Sequence, residues 1–182
     1  MLRRTCDVVP VNRIKSGEIQ AVIKKLEYVI LKYSSVGMSA PQIGINLRIF
    51  AMRFSSKQLA SISSNIIRSR GVTELPFTVF INPTMRVVDY SKILHQEGCE
   101  SVRGYTADVT RYKQVEITGY NGAGEKQTGQ YSEWSARIAQ HEMDHLDGVM
   151  YTDVMNRKTL TCSCWEEVNL SQGKVVLPFT PE

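Results

Sequence analysis

The chain has 182 residues, a net charge of +4, 42% hydrophobic and 22% charged residues. That length suits one domain over residues 1–182 with a real core and no need of disulfide staples, and no apolar run reaches membrane-spanning length. The mild basic excess reads as a solvated surface without a dense Lys/Arg run, and Cys6, Cys99, Cys162 and Cys164 form no CxxC pair, so free thiols in a reducing compartment are expected.

The first segment, Met-Leu-Arg-Arg, soon turns mixed in charge, and no complete targeting peptide is visible. From Gly17 to Tyr33, apolar residues recur at Ile19, Val22, Ile23, Leu26, Val29, Ile30 and Tyr33. Steps of three and four predict an amphipathic helix, with Ser16 as its N-cap. Ser34 to Gly37 breaks it. A loop over 38–44 precedes a predicted strand from Leu47 to Met52. Residues 55–71 are Ser-rich and predict a helix or an exposed loop. Phe77 to Ile81 predicts a strand stopped by Asn82-Pro83, with Met85 to Asp89 as its continuation.

Val115 to Tyr120 and Glu125 to Tyr131 flank Asn121-Gly122-Ala123-Gly124, a hairpin signature. Ser132 to Leu146 predicts a helix ending before Gly148, at the place of a C′ glycine. Val149 to Val154 predicts a return to the sheet, and the tail beyond Cys164 carries no clear pattern. The order of elements implies an α+β domain, its mostly antiparallel sheet packed around a central helix.

The strongest chemical signal is His141-Glu142-Met143-Asp144-His145. Residues i and i+4 stand one above the other on a helix, so two imidazoles can share one divalent cation while the glutamate reaches its water. Trp134, Ile138, His141 and His145 form one stripe that faces the core. The plain alternative is two satisfied core histidines. A catalytic site of this type needs a third protein ligand and an open position. Cys99 is a better candidate than His95, because Gly98 permits close backbone approach and a thiolate suits a borderline or soft ion.

Three segments then match one family in order. Gly37-Met38-Ser39-Ala40-Pro41-Gln42, Glu97-Gly98-Cys99-Glu100-Ser101 and Gln140 through Gly148 resemble the three signature motifs of peptide deformylases, and the resemblance covers about residues 20–165. It implies a small α+β fold packed around a metal-binding helix. It implies removal of the formyl group from the initiator methionine of N-formyl-Met nascent peptides, with release of formate. The implied ligands are Cys99, His141 and His145. They would hold one divalent ion, Fe2+ by preference, with Zn2+, Co2+ or Ni2+ as substitutes. Glu142 is expected to be the general base, with the Gln42 amide and the Glu100 backbone N–H as oxyanion donors. Val36, Gly37, Glu97, Gly98 and Trp134 are expected to border the substrate, Val36 and Gly37 by pairing with it like an added strand.

Glu100, Met38-Ser39 and the Trp134…Ile138 stretch resemble the mitochondrial type from animals, which implies a mitochondrial location. A homodimer follows from that resemblance alone, whereas transient contact with the ribosome is the reading that the mild basic excess permits. A carboxylate at Glu100 near the ion is expected to oppose water ionisation, so Glu100→Leu is expected to raise the rate. Thr5 to Ser16 departs from the family's usual leading segment, and Thr110 stands where a proline is usual. Two other readings stay open. A zinc peptidase would take a downstream ligand such as Asp153 or Glu166, and a ribosome- or RNA-associated binding protein would have lost catalysis.

Overall fold

The computed structural model describes residues 1–174. It is an α+β fold with an antiparallel sheet. Its elements are α1 (Gly17–Tyr33), β1 (Gly37–Ser39), β2 (Ile49–Phe54), α2 (Ser56–Ala60), α3 (Ser64–Arg70), β3 (Leu75–Cys99), β4 (Val102–Tyr120), β5 (Lys126–Ser132), α4 (Glu133–Leu146), α5 (Tyr151–Val154), β6 (Thr161–Cys162) and α6 (Trp165–Leu170). The sheet order is β1-β2-β3-β4-β5, with β6 paired to β4 off that path. The chain divides into two compact units. One holds Met1–Ile93 and Arg111–Met150, and the other holds Leu94–Thr110 and the described residues from Tyr151 to Lys174.

In the first unit, the expected amphipathic helix forms as α1. The Ser16 side chain caps it by accepting the Ile19 N–H, and Ile19, Val22, Leu26 and Ile30 are buried on one face. That face packs with Met38, Ile49, Ala51, Val79 and Ile81 from the sheet. A second cluster joins Phe50, Met52, Phe80, Val115, Ile117 and Tyr131 to Ala136, Ile138, Ala139, Met143 and Leu146 of α4. Helix α4 is therefore covered on most sides, and even its Arg137, Gln140 and Glu142 are buried. It ends as expected at Gly148, which takes φ +76°. The Gly148 N–H donates to the His145 carbonyl and the Val149 N–H to that of Asp144, the paired bonds of a Schellman stop.

The hairpin over Asn121–Gly124 also forms, with Tyr120 opposite Lys126 and Val115 opposite Tyr131. The Ser-rich stretch makes two short helices, α2 and α3, each begun by a serine whose hydroxyl accepts a backbone N–H. The early strand lies slightly later than expected, at Ile49–Phe54.

Three expectations are corrected. The segment 38–44 is not a plain loop, because Met38 and Ser39 pair in β1 and Ala40–Ile43 makes a 3-10 turn. Asn82-Pro83 does not stop the strand, because β3 runs through it from Leu75 to Cys99. Asn82 takes the left-handed conformation, with φ 52°. Its amide donates to the Val9 carbonyl at 2.7 Å and accepts the Val9 N–H at 2.8 Å, so the kink is fixed from outside the strand. Val149–Val154 does not rejoin the sheet either, since Tyr151–Val154 is a helical turn.

In the second unit, Tyr151 donates its hydroxyl proton to the Tyr105 carbonyl at 3.0 Å. Tyr151 packs with Ala107, Val109, Met155, Val102 and Cys99. The Asn156 N–H donates to the Asp108 carbonyl at 2.8 Å, and Cys162 and Thr161 of β6 pair with Tyr105 and Thr106.

Candidate metal centre

Helix α4 carries His141, Glu142 and His145. The helical repeat stacks the two imidazoles edge to face, with ring centroids 4.9 Å apart. His145 is buried and His141 half-buried, as their shared face with Ile138 predicts. Cys99 is the last residue of β3, and Glu100 and Ser101 alone turn the chain into β4. The Ser101 N–H donates to the Cys99 sulfur at 3.4 Å. One ligand atom from each of Cys99, His141 and His145 lies within 4.8 Å of the others. The donor set is one soft sulfur and two imidazole nitrogens, which fits a transition-metal cation. Three protein donors also match a catalytic rather than a closed structural site, which would have four.

Gly37 begins β1, the end strand in the sheet order. Its bare Cα lies against α4. A Cβ there would stand 2.9 Å from Ile138 Cγ2 and 3.0 Å from Glu142 Cδ, and closer still to Glu142 Oε1. The glycine is thus required by the position of the glutamate, a reason that motif reading alone does not give. Val36 sits just before the strand, half-buried, and its carbonyl accepts the Arg53 N–H at 3.0 Å.

Gln42 lies in the 3-10 turn that follows β1. Its amide oxygen accepts both the Ser39 N–H and the Ser39 hydroxyl, each at 2.8 Å. Those two bonds fix the amide so that its NH₂ end points away from Ser39. Trp134 is half-buried against the core around α4, with the Arg70 guanidinium 5.6 Å from its ring centroid. Its indole N–H is buried with no acceptor among the described residues.

Around Cys99, Glu97 is buried and Gly98 is exposed. A Cβ on Gly98 would meet Thr106 Cγ2 at 3.2 Å. Glu100 pairs with Arg103, Oε2 to Nε 3.4 Å, and both side chains are about one-third exposed. Burial, with the negative charges of Cys99 and Glu97 behind it, pushes the Tyr151 phenol above its ordinary range. His95 is half-buried on β3.

Several supporting residues escape sequence reading. Gln140 accepts the Tyr112 N–H and donates to the Tyr112 and Ala136 carbonyls, at 2.9, 2.9 and 3.0 Å, locking α4 to β4. Arg111 donates to Asp144 at 2.6 Å, and Arg137 to the Ile93 carbonyl at 2.7 Å. Each is a buried polar residue, Gln140 and Arg137 on α4 and Arg111 on β4, and burial of such a group is the signal that a distant partner must exist.

Comparison with known proteins follows the same lines. The sequence model of the polypeptide deformylase family matches residues 1–160. The human protein "Peptide deformylase, mitochondrial" is 38% identical over 162 residues, covering 88% of this chain and 67% of that one. "Peptide deformylase 1A, chloroplastic/mitochondrial" of Arabidopsis thaliana is 36% identical over 162 residues, which cover 89% of this chain and 60% of that one. The chain thus spans about 60 to 67% of the length of these two relatives. A class I type b peptide deformylase from Acinetobacter baumannii, bound to Met-Ala-Ser, superposes with a TM-score of 0.74 at 25% identity, covering 85% of this chain and 91% of that one. A Synechococcus elongatus peptide deformylase in complex with actinonin gives a TM-score of 0.70 at 29% identity, covering 97% and 85%.

Proposed function

We propose, from the premise that this chain belongs to the peptide deformylase family, that it hydrolyses the N-formyl group of nascent peptides beginning with formyl-methionine. The observation that carries this reading is the grouping of Cys99, His141 and His145 with Glu142 on the same helix. Removal of the formyl group from nascent peptides is the family's known reaction, and its enzymes depend on a metal. Cys99, His141 and His145 would hold the ion here. A divalent cation supplies Lewis acidity when bound, easing water ionisation and polarising the formyl carbonyl.

The protein's own groups do the rest. Glu142 takes a proton from the attacking water and returns it to the leaving amine nitrogen. The Gln42 NH₂, oriented by Ser39, and the Glu100 backbone N–H donate to the oxygen of the tetrahedral adduct. Val36 and Gly37 pair with extended substrate at the free side of β1. Glu97 and Gly98 border the substrate on the Cys99 segment, and Trp134 walls the methionine pocket. Glu100 slows the reaction through its charge, and the ion pair with Arg103 offsets part of that effect.

Iron is the proposed ion, with zinc, cobalt or nickel as substitutes, by family resemblance and by the softness of the donor set. A mitochondrial location rests on likeness to the human and plant relatives. A homodimer rests on resemblance only, and a transient ribosome contact on the net charge of +4. Residues 1–182 are proposed to work as one catalytic domain, because the family match runs unbroken through residues 1–160.

The test is formate release from formyl-Met-Ala-Ser by anaerobically prepared, metal-loaded protein. Glu142→Gln is expected to keep its metal and to lose about 10²- to 10⁴-fold in turnover, the range of general acid–base catalysis. Full activity in that variant would reject Glu142 as the base. Absence of formate release from metal-loaded wild-type protein would reject the activity.

A further inference from the structure

Two of the cysteines have no part in the proposed chemistry and lie together. Cys162 ends β6, opposite Tyr105. The Ser163 N–H donates to the Gly104 carbonyl at 2.8 Å, extending the pairing by one residue. The chain then turns at Cys164, the residue that precedes α6. In a flat strand, residues i and i+2 share a face with Cα atoms about 6.6 Å apart. The turn brings the two sulfurs to 3.4 Å, in direct contact. Both side chains are half-buried, so each is partly open to solvent.

We infer that Cys162 and Cys164 form a redox-active dithiol that closes to an intramolecular disulfide under oxidising thiol–disulfide conditions. The sulfurs must approach by about 1.4 Å to reach bonding distance, a movement that rotation about the side-chain torsions and a small adjustment of the turn can supply. The oxidant is a low-molecular-weight disulfide. A Cys162 thiolate attacks one of its sulfurs, forms a mixed disulfide and releases one thiolate. The Cys164 thiol loses its proton and attacks the Cys162 sulfur. The second thiolate leaves, the protein is oxidised by two electrons, and the small disulfide is reduced to two thiols.

Three features shape this chemistry. The thiol–thiol contact and burial raise the Cys164 pKa, with smaller contributions from the charges of Cys162 and Glu167. Closure is therefore slow at neutral pH and faster in mild base. A ring spanning only one intervening residue is constrained, and a constrained disulfide is readily reduced, as suits a reversible switch. Closure also draws on Ser163, whose N–H holds Gly104 just past the turn that carries Glu100 and Ser101. The inference does not depend on the hydrolase reading.

The experiment equilibrates the full chain in glutathione buffers of graded oxidised-to-reduced ratio, blocks remaining thiols, and maps tryptic peptides by mass. Residues 159–174 contain both cysteines and no internal Lys or Arg. The expected result is loss of two hydrogens in that peptide as the ratio becomes oxidising, reversed by reduced glutathione. Cys164→Ser is expected to stop at a glutathione adduct on Cys162. Two blocked thiols at every ratio, stable glutathione adducts in the wild type, or a bridge to Cys6 or Cys99 would each overturn the inference.

Discussion

Replacing Gly37 by alanine should damage turnover far more than folding. The added Cβ would meet Ile138 Cγ2 at 2.9 Å and Glu142 Cδ at 3.0 Å, with Glu142 Oε1 nearer still. Ordinary carbon contacts begin near 3.5 Å, so something must give by about 0.5–1 Å. Ile138 is fixed among core side chains, which leaves the Glu142 carboxylate as the group that moves. Overpacking a core site costs about 1–3 kcal/mol, and the stiffer unfolded chain offsets about 0.4–1 kcal/mol of it. The net loss of stability should therefore stay near 1 kcal/mol, within reach of a urea titration. A catalytic group misplaced by about 1 Å can cost about 100-fold in rate. Formate release from metal-loaded Gly37→Ala should fall by about that factor, with metal content unchanged. Gly17→Ala, where a Cβ meets nothing within 4 Å, should leave turnover unchanged and raise stability by about 0.4–1 kcal/mol through the stiffer unfolded chain. Near-wild-type turnover in Gly37→Ala would show that the glycine does not set the position of Glu142.

Three further outcomes follow from packing and charge. Arg111→Met leaves Asp144 without its 2.6 Å partner on a mostly buried helix, and should destabilise by about 3 kcal/mol in urea, the low end for a broken buried pair because Asp144 is partly exposed. Gly148→Ala puts a Cβ at φ +76°, 2.9 Å from the Arg3 carbonyl carbon, and should lower the thermal midpoint by the equivalent of about 1–3 kcal/mol. Burial pushes the Tyr131 phenol up to about 12 from the ordinary 10.0. The raised folded-state value means its contribution is intact below pH 10, falls away as pH rises from 10 to 12, and totals about 2–3 kcal/mol, so Tyr131→Phe should flatten the alkaline arm of the stability curve.

Local signals were the legible ones. The period of α1, its Ser16 cap, the Gly148 stop and the i, i+4 histidines are written within a few residues of where they act. So is the hairpin at Asn121–Gly124. Asn82-Pro83 misleads because a turn pair serves as a kink inside a strand, held by Val9 from a remote segment. Val149–Val154 misleads because its apolar residues match a strand pattern, while the Tyr151–Tyr105 contact that favours a helical turn is distant in sequence. At the site, motif spacing marks Glu142 and Gln42, but not why Gly37 must lack a side chain or how Ser39 aims Gln42. The ties of Gln140 to Tyr112 and of Arg111 to Asp144 also join residues that sequence reading leaves unpaired.

X-ray absorption on anaerobically purified, metal-loaded protein tests the metal centre most directly. The account predicts one sulfur near 2.3 Å and two imidazole nitrogens near 2.0–2.1 Å if zinc is the ion, with the sulfur lost in Cys99→Ala. A metal shell without sulfur in the wild type, or an unchanged shell in Cys99→Ala, would contradict it.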